Sequence, residues 1–354
     1  MSPVPCVSVL MAVYNGELYL AAAIESILKQ TFTNFEFIIV DDGSTDRTAS
    51  ILAEYACLDS RICVITQSVN AGLTPSLNLA LAKSRGIFIA RQDADDLSDP
   101  HRLARQVAYL QANNQVGLVG TAAYLIDENS EVLRLFVVPT RSNVIRWSMH
   151  LNNVLIHTSV LARRAIIEAV GAYDANQLHI EDYDLWWRIS SWAELANLPE
   201  PLVMYRLQPD SISHRYKSVQ KQMTIQLMKA VISNLFGRPI SDEDVMLLYQ
   251  AVWREQFCHP GEIIRVLNIM WKMYQAYTAQ NHLTPLEKKL IKLDLTERIA
   301  YVGLDNLKVF PFTSLRILFW ATTCMPQWLS SARTLTRLNY VLKKRFMALL
   351  VAGY

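Results

Sequence analysis

In the first hundred residues, four short apolar runs each end abruptly in a cluster of acids, amides or glycines, and that rhythm restricts the fold more than anything else in the chain. Val7–Val13 gives way to Tyr14-Asn15-Gly16-Glu17, and residues 35–40 to Asp41-Asp42-Gly43-Ser44. Residues 62–67 run on to Asn70-Ala71-Gly72, and residues 87–91 to Asp93-Ala94-Asp95-Asp96. Between them lie helical patterns near 19–29, 46–55 and 75–84. Short apolar runs alternating with amphipathic ones predict right-handed βαβ crossovers and a mostly parallel sheet covered on both faces. Ligands of such sheets sit beyond the carboxyl ends of the strands. All four polar clusters fall on that one rim.

From residue 100 to about 211 the pattern is mixed. A helix near 101–111 precedes strands near 116–120 and 124–137, then a strand near 157–161, a helix near 182–191 and a strand near 198–205. Beyond residue 213 the chain reads helical to its end, with candidate helices at 219–236, 243–254, 262–280, 285–306 and 335–350. The economical division is a body of residues 1–213, in halves 1–99 and 100–213, and a helical C-terminal region of residues 214–354.

A hydrophobic fraction of 51% is ample for a core, and a net charge of +2 gives no nucleic-acid signal. The charge is uneven. Residues 306–354 hold seven basic side chains and no acid, which against the overall +2 leaves −5 on residues 1–305. A basic tail on an acidic body points to an anionic surface as partner. The five cysteines are odd in number and scattered, so neither a zinc site nor a disulfide frame is indicated, and a reduced cytosolic setting fits. The N-terminal residues carry no basic leader pattern. No run meets the need for about 20 mainly apolar residues that a spanning helix has; residues 62–82 are interrupted by Gln67, Asn70, Gly72, Pro75 and Asn78, and residues 317–332 contain Pro326 and Gln327.

Asp93 and Asp95, two residues apart at a strand exit, are able to face one ligand together. Hard oxygen donors suit Mg²⁺ or Mn²⁺, which keep open positions for phosphate oxygens and neutralise charge on a departing diphosphate. The duller reading is that these acids decorate the approach to a helix starting at Asp99-Pro100. Asp42 is placed to accept hydrogen bonds from a nucleotide, while Ser44 and Thr45 read as caps of the next helix. Glu181-Asp182-Tyr183-Asp184 opens a helix with three acids in its first turn. Dipole compensation explains such a cluster, and so does a general base in a partly dry cleft; the pattern leaves both standing. Trp186 and Trp187 offer apolar walls or a sugar-stacking surface, and His157 borders a cleft or fills a structural place. Neither a P-loop, a dinucleotide fingerprint nor a nucleophile elbow is present.

Taken together, the stretches 7–15, 40–46, 90–96 and 181–186 resemble family 2 of the inverting glycosyltransferases, in order and spacing, over about residues 5–211. The resemblance implies a GT-A fold: an α/β, Rossmann-like, mostly parallel sheet flanked by helices, here with an α-helical C-terminal appendage. Residues 1–99 become the nucleotide-sugar half and 100–213 the acceptor half. Ala12, Tyr14 and Glu17 would line the nucleotide, Asp42 would meet the base, and Asn70 and Gly72 would lie beside the nucleoside. Asp93 falls at the ribose and the metal, Asp95 on the metal (Mg²⁺ or Mn²⁺), and Asp182 becomes the base that activates the acceptor hydroxyl. Glu181, Trp186 and His157 fall on the acceptor side. The chain departs from the family at Ala12, where a proline is usual, and at Gln208, where a histidine is common; His214 is a candidate replacement. The Gln-x-x-Arg-Trp of processive members is missing, which favours transfer of one sugar.

The expected function is metal-assisted inverting transfer of a single sugar from a nucleotide-diphosphate-sugar donor to a glycan or lipid-linked acceptor, at the cytoplasmic side and peripheral to the inner face of the cell membrane. A sugar-phosphate nucleotidyltransferase and an inactive membrane-associated scaffold are the alternatives. No nucleic acid is expected as partner. The basic amphipathic stretch 335–350 suits an anionic bilayer, a core or a homodimer contact equally.

Overall fold

The computed structural model describes residues 4–208, 216–325, 327 and 329, so the 335–350 stretch and His214 lie outside the described residues. The chain forms two compact units. One comprises Met1–Ser142 with Val154–Gln220, the other Asn143–Asn153 with Lys221–Tyr354.

The first unit is built on one nine-stranded sheet. Its strands are β1 (Val7–Val13), β2 (Phe35–Asp41), β3 (Ile62–Thr66), β4 (Phe88–Arg91), β5 (Leu97–Ser98), β6 (Val116–Ile126), β7 (Val132–Phe136), β8 (Leu161–Arg163) and β9 (Glu194–Arg206). The order is β3-β2-β1-β4-β8-β6-β9-β5, with β7 paired to β6. β3, β2, β1 and β4 are parallel neighbours, with Val9 facing both Phe37 and Ala90, and Ile39 facing Val64. β8 enters antiparallel between β4 and β6, and β6 and β9 are parallel to one another. Every residue of β2 is buried, as expected for a strand covered on both faces. Helices α1 (Leu20–Leu28), α2 (Thr48–Leu58), α3 (Leu73–Lys83) and α4 (Arg102–Ala112) supply the crossovers. α1 buries Leu20, Ala23, Ile24 and Ile27, the spacing of a single helix face. That face packs with Val9, Met11, Phe37 and Ile39 in the core.

The sequence-based elements hold with four differences in this unit, the first being the two-residue strand β5, which was not expected. The strand expected at 157–161 is a 3-10 turn, His157–Ser159, leading into β8. The Ser159 amide and hydroxyl both donate to the Ile156 carbonyl (2.9 and 2.8 Å), and that local closure prevents extension. The strands expected at 116–120 and 124–137 are instead one continuous β6 and a hairpin partner, β7. They are separated by a turn in which Asp127 Oδ1 accepts from the Asn129 and Glu131 amides, both at 2.9 Å. The short helix α6 (Arg164–Ala169) was not expected; α7 (Glu181–Ser190) was.

In the second unit, α5 (Ser142–Met149) supplies residues 143–149 to a core shared with α8 (Lys217–Phe236), α9 (Asp242–Trp253), α10 (Pro260–Gln280) and α11 (Pro285–Asn306). Trp147 is fully buried there; its Nε1 donates to Asp294 Oδ2 at 2.8 Å and its ring meets Tyr277 edge-on at 5.6 Å. Helix starts carry their own signals. Ser241 caps α9 by accepting from the Asp244 amide, and Thr284 with Glu287 forms a reciprocal capping box at α11, followed by Pro285. A further helix, α12 (Pro311–Cys324), follows α11.

Candidate active site

The rim of the first unit is assembled from loops that bind each other before they bind anything else. The loop after β1 is laced to the loop after β2. The Asn15 amide donates to Ser44 Oγ (3.0 Å), the Thr45 amide to Asn15 Oδ1 (2.8 Å) and the Gly16 amide to Thr48 Oγ1 (2.8 Å). The Glu17 amide reaches Asp46 Oδ2 (3.1 Å), and Glu17 Oε2 accepts from the Arg47 amide (3.0 Å). Asn15 adopts φ 52°, a conformation asparagine tolerates better than most residues. The capping expected of Ser44 and Thr45 is therefore corrected. Ser44 serves the Asn15 amide, and Asp46 Oδ1 takes the Thr48 amide at the helix start (2.9 Å). Tyr14 is half exposed on this rim, and Ala12 is partly covered within β1.

Asp42 is buried, and both its oxygens are engaged. Oδ1 accepts from Gln67 Nε2 (2.7 Å) and the Ala71 amide (2.8 Å), Oδ2 from the Gly72 amide (2.8 Å). It fixes the turn that carries exposed Asn70 and Gly72, whose φ of 95° suits glycine. Any contact from Asp42 to a nucleotide comes from a carboxylate already held rigid by the β3–α3 loop.

At the exit of β4 four side chains crowd together. The Asp93 amide donates to Thr158 Oγ1 (3.0 Å), and Asp93 Oδ1 pairs with Arg91, whose side chain is 2% exposed. Asp95 Oδ2 accepts from Gln208 Nε2 at 2.7 Å, and Asp96 Oδ1 from the Arg206 amide at 2.7 Å. Burial, and then the Asp93 charge, push the Asp95 carboxyl up to about 6. Burial followed by the Asp95 and Asp93 charges lifts Asp96 well above the usual carboxylate range.

Three buried arginines bind this turn together, and the sequence reading assigned no role to them. Arg206 donates from Nε to the Asp95 carbonyl (2.9 Å) and from Nη1 to the Asp127 carbonyl (2.7 Å), and its guanidinium lies 4.2 Å over the Tyr19 ring. Arg102 donates to the Thr158 and Arg91 carbonyls (2.6 and 3.1 Å), and burial pulls it down to about 9. Arg91 reaches the Leu10 carbonyl at 3.3 Å and also donates to the Gln92 carbonyl. The one sequence signal was the cation closing the apolar run 87–91.

Helix α7 begins with Glu181 and Asp182. Asp182 Oδ1 accepts from the Tyr183 amide at 2.6 Å. Glu181 is buried, and burial with the neighbouring Asp182 charge pushes it up to about 7. His157 Nε2 lies 2.9 Å from Tyr173 Oη, and its ring meets Trp186 edge-on at 5.9 Å. Burial, then the Arg91 charge, holds His157 neutral well below its ordinary value. Trp186 is 1% exposed, so its ring forms a wall behind the site rather than an open stacking face.

The electrostatics shows which of these groups share a neighbourhood. The Asp93 charge acts on Asp95, Asp96 and Glu181, and also on Tyr173 and Tyr205; the Asp182 charge acts on Glu181, Tyr173 and Tyr205. The β4 exit and the start of α7 are thus close enough for their charges to interact, whereas Asp42 is tied to the 70–72 turn. Among the described residues no group of three or more His, Cys, Asp or Glu side chains is arranged to hold a metal. Asp93, ion-paired with Arg91, and Asp95, lifted by burial, offer hard oxygen donors of the kind that suit Mg²⁺, which would take its other ligands from phosphate and water.

The family model "Glycosyl transferase family 2" matches residues 8–171. An uncharacterized glycosyltransferase of Haemophilus influenzae is 30% identical over 85% of this chain and 97% of its own length. The O-antigen biosynthesis glycosyltransferase WbnJ of Escherichia coli is 34% identical, over 65% of this chain and 92% of that one. The UDP-Glc:alpha-D-GlcNAc-diphosphoundecaprenol beta-1,3-glucosyltransferase WfgD, also of E. coli, is 32% identical, over 62% and 84%. Among solved structures, residues 1–349 of S. aureus TarS in complex with UDP-GlcNAc match with a TM-score of 0.55 at 15% identity, covering 91% of each chain. The mannosyltransferase PcManGT of Pyrobaculum calidifontis, in complex with GDP-Man and Mn²⁺, matches at 0.52 and 17% identity, over 90% and 88%. At such identities the likeness is one of fold, and it is the GT-A-like fold expected from the sequence. A relative matched over nearly its whole length and a sheet rimmed with the family's motifs lead to one conclusion: the chain belongs to glycosyl transferase family 2 and is a glycosyltransferase.

Proposed function

We propose that the chain moves one sugar from a nucleotide-diphosphate-sugar to a hydroxyl of a lipid-linked glycan acceptor, by single displacement with inversion. The observation that carries this reading is the electrostatic meeting of the β4-exit carboxylates with the Glu181–Asp182 pair, the placement a direct displacement requires. Asp93 and Asp95 would hold Mg²⁺ or Mn²⁺, which when bound offsets charge on the departing diphosphate. Arg206 and Gln208 keep Asp95 in place, so the carboxylate needs no reorganisation on binding. The Tyr14–Glu17 and Asn70–Gly72 loops, braced by Ser44–Arg47 and Asp42, form the nucleotide side. Asp182 accepts the proton of the acceptor hydroxyl, and Glu181, whose carboxyl is lifted to about 7 by burial and by the Asp182 charge, carries only part of a negative charge beside it at neutrality.

A lipid-linked acceptor is supported by the relative WfgD, a glucosyltransferase that acts on alpha-D-GlcNAc-diphosphoundecaprenol. Such an acceptor implies work at the inner face of the cell membrane, with the basic C-terminal stretch toward anionic lipid. Among the described residues no helix is long and apolar enough to cross a membrane. The test is a panel of nucleotide sugars with a diphosphoundecaprenol-linked acceptor, followed by NMR of the product. One added sugar of inverted anomeric configuration is the expected product; retention, a polymer, or pyrophosphate release would overturn the proposal.

A further inference from the structure

Helix α12 is built with its polarity reversed. The residues it buries are small or aliphatic: Ser314, Ile317 and Ala321, with Ile317 Cγ2 only 3.1 Å from where a Cβ on Gly303 of α11 would lie. The residues it turns outward are large and apolar. Phe312 is 84% exposed, Leu315 56% and Phe319 73%, at positions three and four residues apart that fall on one face. Trp320 adds to this surface and meets half-exposed Trp271 of α10 edge-on at 6.4 Å. A contiguous exposed apolar face of this kind marks an interaction surface.

We infer that this face is the site at which the chain lies on an anionic lipid bilayer. Charge selects the occupant. Exposed Arg316 and Lys308 flank the aromatic residues, and residues 306–354 carry seven cations and no acid. A second copy docking through the same patch would bring those cations against their twins across a two-fold axis. Anionic headgroups oppose the charges of Lys308 and Arg316, each attracted by about 1 kcal/mol near such a surface. Aromatic rings at the headgroup level with cations beside them are the composition of an in-plane anchor. At 14 residues α12 is roughly 21 Å long, too short to span a hydrocarbon core of about 30 Å.

The inference stands on the helical unit alone, independent of the transfer chemistry, and its test contains neither donor nor acceptor. The full chain is centrifuged with phosphatidylglycerol-rich vesicles and with pure phosphatidylcholine vesicles, as wild type, as F312S/F319S, and as R333Q/R337Q/K343Q/K344Q/R345Q. Wild type is expected to partition to the anionic vesicles. F312S/F319S should lose roughly tenfold or more of that partitioning with an unchanged unfolding midpoint, since both rings are exposed. The Gln variant should lose the salt-dependent part. Vesicle binding by F312S/F319S equal to wild type would overturn the inference. So would sedimentation showing a wild-type dimer that the same two substitutions dissociate while lipid binding persists.

Discussion

Replacing Asp95 by Asn removes a charge that the fold holds at a penalty. The carboxyl is lifted from 3.8 to about 6 by burial and by Asp93, which corresponds to about 3 kcal/mol against the ionised form well above pH 6. Partial exposure of the side chain trims this to about 1–2 kcal/mol. The sign follows from linkage. A carboxyl whose folded value exceeds its unfolded one binds more protons when folded, so its stabilising share is complete below about 4 and is lost as pH rises through about 6. Asn keeps an oxygen for Gln208 Nε2 and carries no charge at any pH. Without metal, Asp95→Asn should therefore melt about 3 °C above wild type at pH 8, with the gap roughly halved at pH 5. Millimolar Mn²⁺ should reverse the order at pH 8, raising wild type and leaving the variant unchanged, because the cation replaces the missing compensation. Scanning calorimetry at both pH values, with and without Mn²⁺, gives the four curves. A variant less stable than wild type at both pH values, or one still raised by Mn²⁺, would refute the reasoning.

Asp182→Asn should retain donor binding in a calorimetric titration while sugar transfer falls by about a thousandfold, the middle of the range for loss of a general base. Gly43→Ala places a methyl 2.8 Å from the Val69 carbonyl carbon at φ +74°; it should destabilise the first unit by about 1–3 kcal/mol in urea unfolding. Trp147→Ala removes a fully buried ring and the partner of Asp294; denaturant curves should show about 3–5 kcal/mol lost.

The alternation of buried strands with amphipathic helices was legible because each strand ends where its apolar run ends, and the parallel core β3-β2-β1-β4 repeats that pattern without interruption. The rim motifs were legible for the same reason: Asp93 and Asp95 stand where β4 stops. The buried arginines were not, because an arginine in a sequence reads as surface, and only the carbonyls of Leu10, Thr158 and Asp127 reveal why Arg91, Arg102 and Arg206 are inside. His157–Ser159 read as a strand because its neighbours are apolar, whereas a hydroxyl folding back on the Ile156 carbonyl decided otherwise. Trp147 announced burial but not its partner, which lies 147 residues away at Asp294. α12 was hidden by its reversed polarity: with aromatics outward and Ser314 and Ala321 inward, it offers no ordinary amphipathic pattern to recognise.

One cation held where β4 ends, against the diphosphate of a donor, is the centre of the proposed chemistry. Anomalous scattering from crystals grown with Mn²⁺ and a nucleoside diphosphate measures this directly. A single strong peak between the carboxylates of Asp93 and Asp95, touching the diphosphate oxygens, is the expected result. A nucleotide bound on the rim with no metal peak near either carboxylate, or a peak elsewhere in the chain, would contradict it.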